Sequence, residues 1–360
     1  MLYIGKFLGY ICLGINAVIS VLMLIAAYSP NVNPQSYPII SCAGLFFPIF
    51  WGLNLLFLIF WLFACRRYVL LPLLAWVLCW NTFQTYFPIN GVHGEIPEGA
   101  IKVLSYNTRG FDEMKPHTKE NPNEILAYLQ NSDADIICLQ EYIHGGKLKK
   151  KDIDYALREY RYKHYLSLAN GWNGLGCYSR YPILSATPIK YESESNGSIA
   201  YRLKVGNDTV LVINNHLESN RIVDKDVEAY HAMIESPDGE VLLSGTRQLL
   251  KKLSNATVVR AKQADAVVEI VKRSKEKYVI VCGDFNDTPV SYAHGIFHEE
   301  LKDAFVEAGN GCGFTYNQDR MYVRIDHLLV GEGIKVHECE VDNSIMASDH
   351  YPIWCHITLE

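Results

Sequence analysis

Residues 278–286 read YVIVCGDFN, a short β-branched apolar run that ends on a carboxylate and, two residues later, an amide. A run of this length and composition predicts a buried strand, with Asp284 and Asn286 standing where it ends. The pattern recurs outward along the chain. Runs at 101–106 (IKVLSY), 135–139 (DIICL), 174–179 (GLGCYS), 199–205 (IAYRLKV), 209–215 (TVLVINN), 324–330 (RIDHLLV) and 351–357 (YPIWCHI) predict further strands. Helices are expected at 121–131 and at 257–275, where Val258, Ala261, Ala264, Val267, Val268 and Val271 make an apolar stripe. Many strands with few intervening helices predict two packed sheets flanked by helices. Residues 220–256 are polar, lack strand character and read as an inserted excursion of 37 residues.

Polar residues gather at the strand ends. Asn107 follows VLSY, Glu141 follows DIICLQ, Asn214 and His216 close VLVIN, Asp326 lies within RID, and Asp349 and His350 precede YPIW. Taken singly, an Asp or Asn after a strand is usually a turn former. Repeated at strand after strand, they predict a shared site, because a sandwich brings distant strand ends to one edge. Glu141, Asp284, Asn286 and Asp349 offer the hard oxygen donors that Mg²⁺ or Mn²⁺ takes. The ten cysteines show no paired short spacing, which favours buried thiols over a zinc site or a disulfide framework.

The order YNTRG (106–110), LQEY (139–142), NNHLES (214–219), GDFND (283–287), RIDHLLV (324–330) and SDHYP (348–352) resembles the endonuclease/exonuclease/phosphatase superfamily, as does CYSRYPI at 177–183. The resemblance covers residues 101–359. It implies a four-layer α/β sandwich of the DNase I type and metal-dependent hydrolysis of a phosphoester. By motif, Glu141 resembles the principal metal ligand, with Asn107 and Asp349 helping to hold the ion. Asp284 resembles the residue that orients or deprotonates water, and Asn286 a ligand to phosphate or metal. His216 matches the histidine at the scissile phosphate, and His350 the catalytic histidine, with Asp326 orienting it. A salt bridge from Asp326 to Arg324 is the plainer reading of that carboxylate. Arg109 departs from the pattern, since many repair endonucleases carry an Asp there. That argues against an abasic-site nuclease.

Charge is distributed unevenly. Residues 1–94 hold three charges, Lys6, Arg66 and Arg67, and no acid, leaving −9 of the formal −6 total to residues 95–360. Residues 7–28 and 39–65 are apolar runs long enough to cross a bilayer, the second with an expected kink at Pro48. A third run, 68–80, spans only if the NTFQTYFP tail is drawn in with it. Residues 1–88 therefore read as a membrane anchor of two to three transmembrane helices, residues 89–100 as a linker, and residues 101–360 as the catalytic domain. The arginine pair belongs on the cytoplasmic side by the positive-inside rule. With three spans, the catalytic domain then lies on the outer, extracytoplasmic face; if the third run only dips in and returns, it lies in the cytoplasm instead.

The expected activity is a membrane-anchored, Mg²⁺-dependent phosphodiester hydrolase, endonuclease-like. A phospholipid or sphingomyelin phosphodiesterase, or an inositol-phosphate phosphatase, is the alternative. The acidic domain disfavours avid DNA binding, which rests on phosphate neutralisation, and KLKKKD (147–152) is the one dense basic run. Anchoring holds lipid head groups close by. An inactive anchored module that keeps the fold would be expected to have lost one of Glu141, Asp284, Asn286, Asp349 or His350, and all are present.

Overall fold

A computed structural model describes residues 2–92, 94–235, 239–318 and 321–360. His93 of the expected linker and residues 236–238 of the expected excursion lie outside the described residues. The N-terminal quarter is a helical bundle of α1 (Leu2–Tyr28), α2 (Phe47–Ala64), α3 (Leu70–Leu78) and α4 (Trp80–Tyr86). Two stretches, Phe7–Asn31 and Pro38–Ala64, are long and apolar enough to cross a membrane. The second is not kinked at Pro48. It breaks earlier, at a 3₁₀ turn over Cys42–Phe46, and Pro48 sits in the first turn of α2, where its missing N–H costs nothing. Polar groups join the helices from within. Asn54 Oδ1 accepts from Asn16 Nδ2 (3.2 Å) and Ser20 Oγ (2.8 Å), and Asn16 Oδ1 accepts from Trp61 Nε1 (3.1 Å). Outward, Ile11, Val18, Ile49, Leu56, Phe63, Leu70 and Val77 are exposed.

Residues 101–360 form two six-stranded sheets. The strands are β1 (Ile101–Asn107), β2 (Ile136–Gln140), β3 (Tyr162–Leu168), β4 (Asn173–Ser179), β5 (Ile183–Ile189), β6 (Gly197–Val205), β7 (Asp208–His216), β8 (Tyr278–Asp284), β9 (Leu301–Asp303), β10 (Asp326–Gly331), β11 (Ile334–Val341) and β12 (Ile353–Leu359). One sheet runs β11-β12-β1-β2-β4-β3 and the other β5-β6-β7-β8-β10-β9. Val103, Cys138, Cys177, Tyr201, Val212, Ile280, Leu328 and Cys355 belong to the core between them. Helices α5 (Glu124–Asn131) and α6 (Lys150–Ala156) cover the first sheet, packing Leu126, Leu129 and Ile153 against Ile137 and Leu139. Ala264, Val267, Val268 and Val271 of α8 (Gly239–Arg273) cover the second. The result is the expected four-layer α/β sandwich. The cysteines are free, as their spacing suggested.

The excursion is helical. Helix α7 (Asp224–Glu235) fills part of it, and α8 begins at Gly239, well before the apolar stripe and the expected helix start at 257. Only the later turns of α8 need that stripe, because only they lie on the sheet.

The bundle packs directly on the sandwich. Gly44 lies so close to the Val290 carbonyl that a Cβ there would meet its oxygen at 1.8 Å, and Pro30 packs against Gly295. Cys42 Sγ is 3.7 Å from Thr257 Oγ1. Arg324 donates to the carbonyls of Thr85 and Cys312. Asn90, in the expected linker, donates to the carbonyls of Val306 (2.9 Å) and Gly309 (2.7 Å).

Candidate active site

Topology explains why the motif residues meet. The β1–β2 and β7–β8 pairs are parallel, each joined through a helical crossover. Their C-terminal ends therefore share one edge, and these ends carry Asn107, Gln140–Glu141, His216 and Asp284. Strands β10 and β12 run antiparallel to β8 and β1, so it is their beginnings that reach this edge. Asp326 stands opposite Asp284 in the register, and Asp349 and His350 come just before β12.

The side chains form a connected cluster. Asn107 Nδ2 donates to Glu141 Oε1 (3.2 Å) and Asp284 Oδ2 (3.1 Å). Its Oδ1 accepts from the Arg109 amide at 3.1 Å. Asp284 also accepts from Asn286, through the backbone N–H (2.8 Å) and the side-chain amide (3.2 Å). His216 Nε2 lies 3.6 Å from Asp284 Oδ2 and 4.0 Å from Glu141 Oε1. His350 Nδ1 lies 2.7 Å from Asp326 Oδ2, and its Nε2 3.9 Å from Asp284 Oδ2. Ser348 ties in the last motif, donating to the Asn107 carbonyl at 2.8 Å and contacting Asp349 Oδ1 at 3.3 Å.

Strain is concentrated here. Glu141 and Asn286 adopt φ of 48° and 52°, a left-handed conformation that L-residues rarely take. Residues 109–114, which begin two residues after Asn107, form a left-handed turn with φ between 46° and 62°. Each non-glycine residue there costs roughly 1–2 kcal/mol. The turn is held by Asn123 Nδ2 donating to the Phe111 carbonyl (2.8 Å) and by the Phe111 ring, buried edge-on against Tyr142 at 5.2 Å.

The electrostatics are unbalanced toward negative charge. Burial, then the neighbouring Asp326, pushes Asp284 up to about 6. Burial and Asp349 raise Glu141. Burial opposes charging of His350, yet Asp326 and Asp284 overcome it and hold the imidazolium up at about 10. His216 is pulled down by burial, only partly offset by Asp284. Glu141, Asp284, Asp326 and Asp349 thus crowd around His350, with Arg109 acting on Glu141 from the exposed turn beside it. Asp326 Oδ1 is buried without a hydrogen-bond partner. This set of hard oxygens, short of positive charge, fits a divalent cation of the Mg²⁺ type.

Several surroundings were not foreseen. Asn173 Nδ2 lies 3.2 Å from His216 Nδ1 and fixes that ring. Thr315 Oγ1 accepts from the Asp326 amide at 3.0 Å, and the Tyr316 ring packs edge-on against His350 at 5.3 Å. These residues sit in loops or outside the quoted motifs, and nothing in their local sequence marks them. Asn214 is structural, clamping the sheets by donating to the carbonyls of Leu139 (3.0 Å) and Gly176 (3.2 Å). Arg324 does not pair with Asp326. Its guanidinium turns away to lie over the Phe305 ring, 4.4 Å from the centroid. The cluster opens into a pocket of about 690 Å³, also lined by Leu45 and Phe46 of the bundle and by Leu249, Leu250 and Leu253 of α8.

Residues 104–350 match the Endonuclease/Exonuclease/phosphatase family, and residues 7–86 match a domain of unknown function (DUF8431). An exodeoxyribonuclease of Bacillus subtilis (strain 168) is 22% identical over 286 residues, 70% of this chain and 98% of that relative. The endonuclease/exonuclease/phosphatase from Bacteroides vulgatus shares the fold with a TM-score of 0.52 at 16% identity, covering 73% of this chain and 100% of its own. D. rerio TDP2, solved with a single-strand DNA product, does so with a TM-score of 0.52 at 15% identity, covering 72% and 100%. A match spanning most of the sandwich makes the assignment: the chain belongs to the endonuclease/exonuclease/phosphatase family, whose members are phosphoesterases and nucleases.

Proposed function

We propose that this protein is a membrane-anchored, Mg²⁺-dependent phosphodiester hydrolase. The observation that carries the reading is the convergence of Asn107, Glu141, His216, Asp284, Asp326 and His350 within hydrogen-bonding or ion-pairing reach at one sheet edge. Glu141, with Asn107 and Asp349, would hold the ion, which supplies Lewis-acid stabilisation of charge on the phosphoryl oxygens. Asp284, with its proton affinity raised toward neutrality, accepts the proton of the attacking water. Asn286 fixes the Asp284 carboxylate through two hydrogen bonds. His350, kept protonated by Asp326, donates to the charge that builds on phosphate, and His216, fixed by Asn173, adds a second imidazole.

The exposed apolar belts of α1, α2 and α3 support membrane anchoring, since soluble monomers rarely leave so much contiguous apolar surface in water. Helix α4 carries the third run back to the end of α1, where Thr82 Oγ1 donates to the Ala27 carbonyl at 3.4 Å. Arg66 and Arg67 at the opposite end support, by the positive-inside rule, a sandwich on the extracytoplasmic side.

Endonuclease-like cleavage draws support from relatives that are named as a nuclease or were solved with DNA. The surroundings of the site argue the other way. Among the described residues that line the pocket, the one lysine or arginine is Arg260, which is buried and bound to Asp287, Glu218 and Asn220. The KLKKKD run lies outside the pocket lining and opens α6, with Lys150 paired to Asp154. The test is the full chain in detergent on bis-p-nitrophenyl phosphate. Turnover is expected with Mg²⁺ and is abolished by EDTA and by His350→Ala. Equal turnover in EDTA, or an undiminished His350→Ala variant, refutes the reading.

A further inference from the structure

The pocket has two unlike halves. One is the charged cluster of Glu141, His216, Asp284 and His350. The other is apolar. Ile222, Tyr230 and the 321–325 segment contribute to it, and the part of its wall nearest the bundle comes from Leu45 and Phe46 at the 3₁₀ turn before α2 and from Leu249, Leu250 and Leu253 on α8. These last five are half-buried. A site for a fully polar substrate has no use for such a wall.

Its position says what it is for. The 3₁₀ turn is pinned to the sandwich through Gly44 against Val290, so Leu45 and Phe46 are fixed parts of the pocket. The chain on either side of them is apolar and outward-facing, with Ile39 and Ile40 exposed before the turn and Ile49 and Leu53 after it. The apolar wall is thus continuous along the chain with the belt that faces lipid. A hydrocarbon chain seated on the wall would then lie beside the belt, with the phosphate at its end at His350 and Asp284 in the same pocket.

We infer that the pocket holds a lipid phosphodiester, with one hydrocarbon chain seated against Leu45, Phe46, Leu249, Leu250 and Leu253 and its phosphate at the catalytic cluster. The inference deepens the hydrolase reading and rests on it. Water attacks phosphorus, the P–O bond to the alcohol breaks, and the alcohol leaves with a proton while the phosphomonoester keeps the other oxygens. No co-reactant besides water is needed. Arg260, in the same lining, is held by Asp287.

The test uses the full chain in vesicles of phosphate-free galactolipid, so that the bilayer itself is no substrate. Methyl and decyl p-nitrophenyl phosphodiesters are compared in Mg²⁺, for the wild type and for Leu249→Gln/Leu253→Gln. Partitioning into the vesicle favours the decyl ester equally for both proteins, so the comparison is of the decyl-to-methyl ratio of kcat/KM. That ratio is expected to be about tenfold higher in the wild type, the factor lost with one or two leucine contacts. Equal ratios overturn the inference and leave the hydrolase reading intact. No turnover of either ester refutes the hydrolase reading itself. A readout free of catalysis and of the variants' folding is photolabelling in EDTA by a diazirine-tailed phosphatidylglycerol. Adducts at 45–46 and 249–253 support the seat, and adducts confined to the outward faces of α1–α3 overturn it.

Discussion

Replacing Gly44 by alanine tests whether bundle and sandwich form one unit. The added Cβ would lie 1.8 Å from the Val290 carbonyl oxygen and 2.9 Å from Ser29 Oγ. A carbon and a carbonyl oxygen approach to about 3.3 Å, so the two backbones must part by roughly 1.5 Å. Rotation of the serine relieves its contact, but a carbonyl has no rotamer. Val290 closely follows Asn286 and Asp287, whose side chains are held by Leu217, Asp284 and Arg260, and the GDFND loop cannot yield cheaply. The bundle moves instead. Overpacking of this sort costs about 1–3 kcal/mol, a factor of roughly 5 to 150 in the docked-to-undocked ratio. Pulsed electron resonance between spin labels at the exposed positions Tyr37 and Glu299 measures the separation. The Gly44→Ala distance distribution is expected to lengthen and broaden. Gly52→Ala, whose Cβ meets nothing within 4 Å, is expected to leave it unchanged. Superimposable distributions for wild type and Gly44→Ala would refute the reasoning.

Asp326→Asn removes the charge that orients and protonates His350. Its kcat on bis-p-nitrophenyl phosphate should fall by about 10²–10⁴ with KM nearly preserved, the signature of a positioning group; an unchanged kcat would mean that His350 needs no such partner. Asp303 offers a pH test away from the site. Although burial opposes its charge, His294 at 2.9 Å holds its carboxyl well below the usual range, and its other oxygen caps the turn at Ala304–Ala308. Because the folded value is depressed, its contribution is complete above the unfolded carboxylate range and is lost as pH falls through it, below about 4. Urea midpoints of the wild type should therefore drop between about pH 4 and 2, and those of Asp303→Asn should start lower and drop less. Parallel slopes would show that Asp303 is not the linked group.

The strands that the sequence revealed and those that it concealed divide along a physical line. The runs read as strands became β1, β2, β4, β6, β7, β8, β10 and β12, which occupy the interior of the two sheets. The strands not foreseen are β3, β5, β9 and β11, and these are the four sheet edges. An interior strand covered on both faces must be apolar at nearly every position, as the fully buried Ile136–Gln140 and Tyr278–Asp284 are. An edge strand is partly wet. Tyr162–Leu168 and Ile334–Val341 mix charged and apolar residues, and Ile183–Ile189 carries a proline. The excursion was hidden for a similar reason, since the early turns of α8 rest on no sheet and their leucines, Leu249, Leu250 and Leu253, line the pocket among charged and polar neighbours.

Of the site, the sequence by itself determined the chemistry available: carboxylates, amides and histidines at strand ends, in an order that the family shares. Local bonding makes such residues legible, because a strand must end and its last side chains are fixed by the chain itself. Tertiary structure alone decided which of them touch. It gave Asp326 to His350 rather than to Arg324, turned Asn214 into a clamp between sheets, and recruited Asn173 to hold His216. It also set Leu45 and Phe46 of the apolar N-terminal segment into the same pocket as His350, more than 300 residues further along the chain. Contacts of that span depend on how two surfaces far apart in sequence pack, and no periodicity or spacing within either segment encodes them.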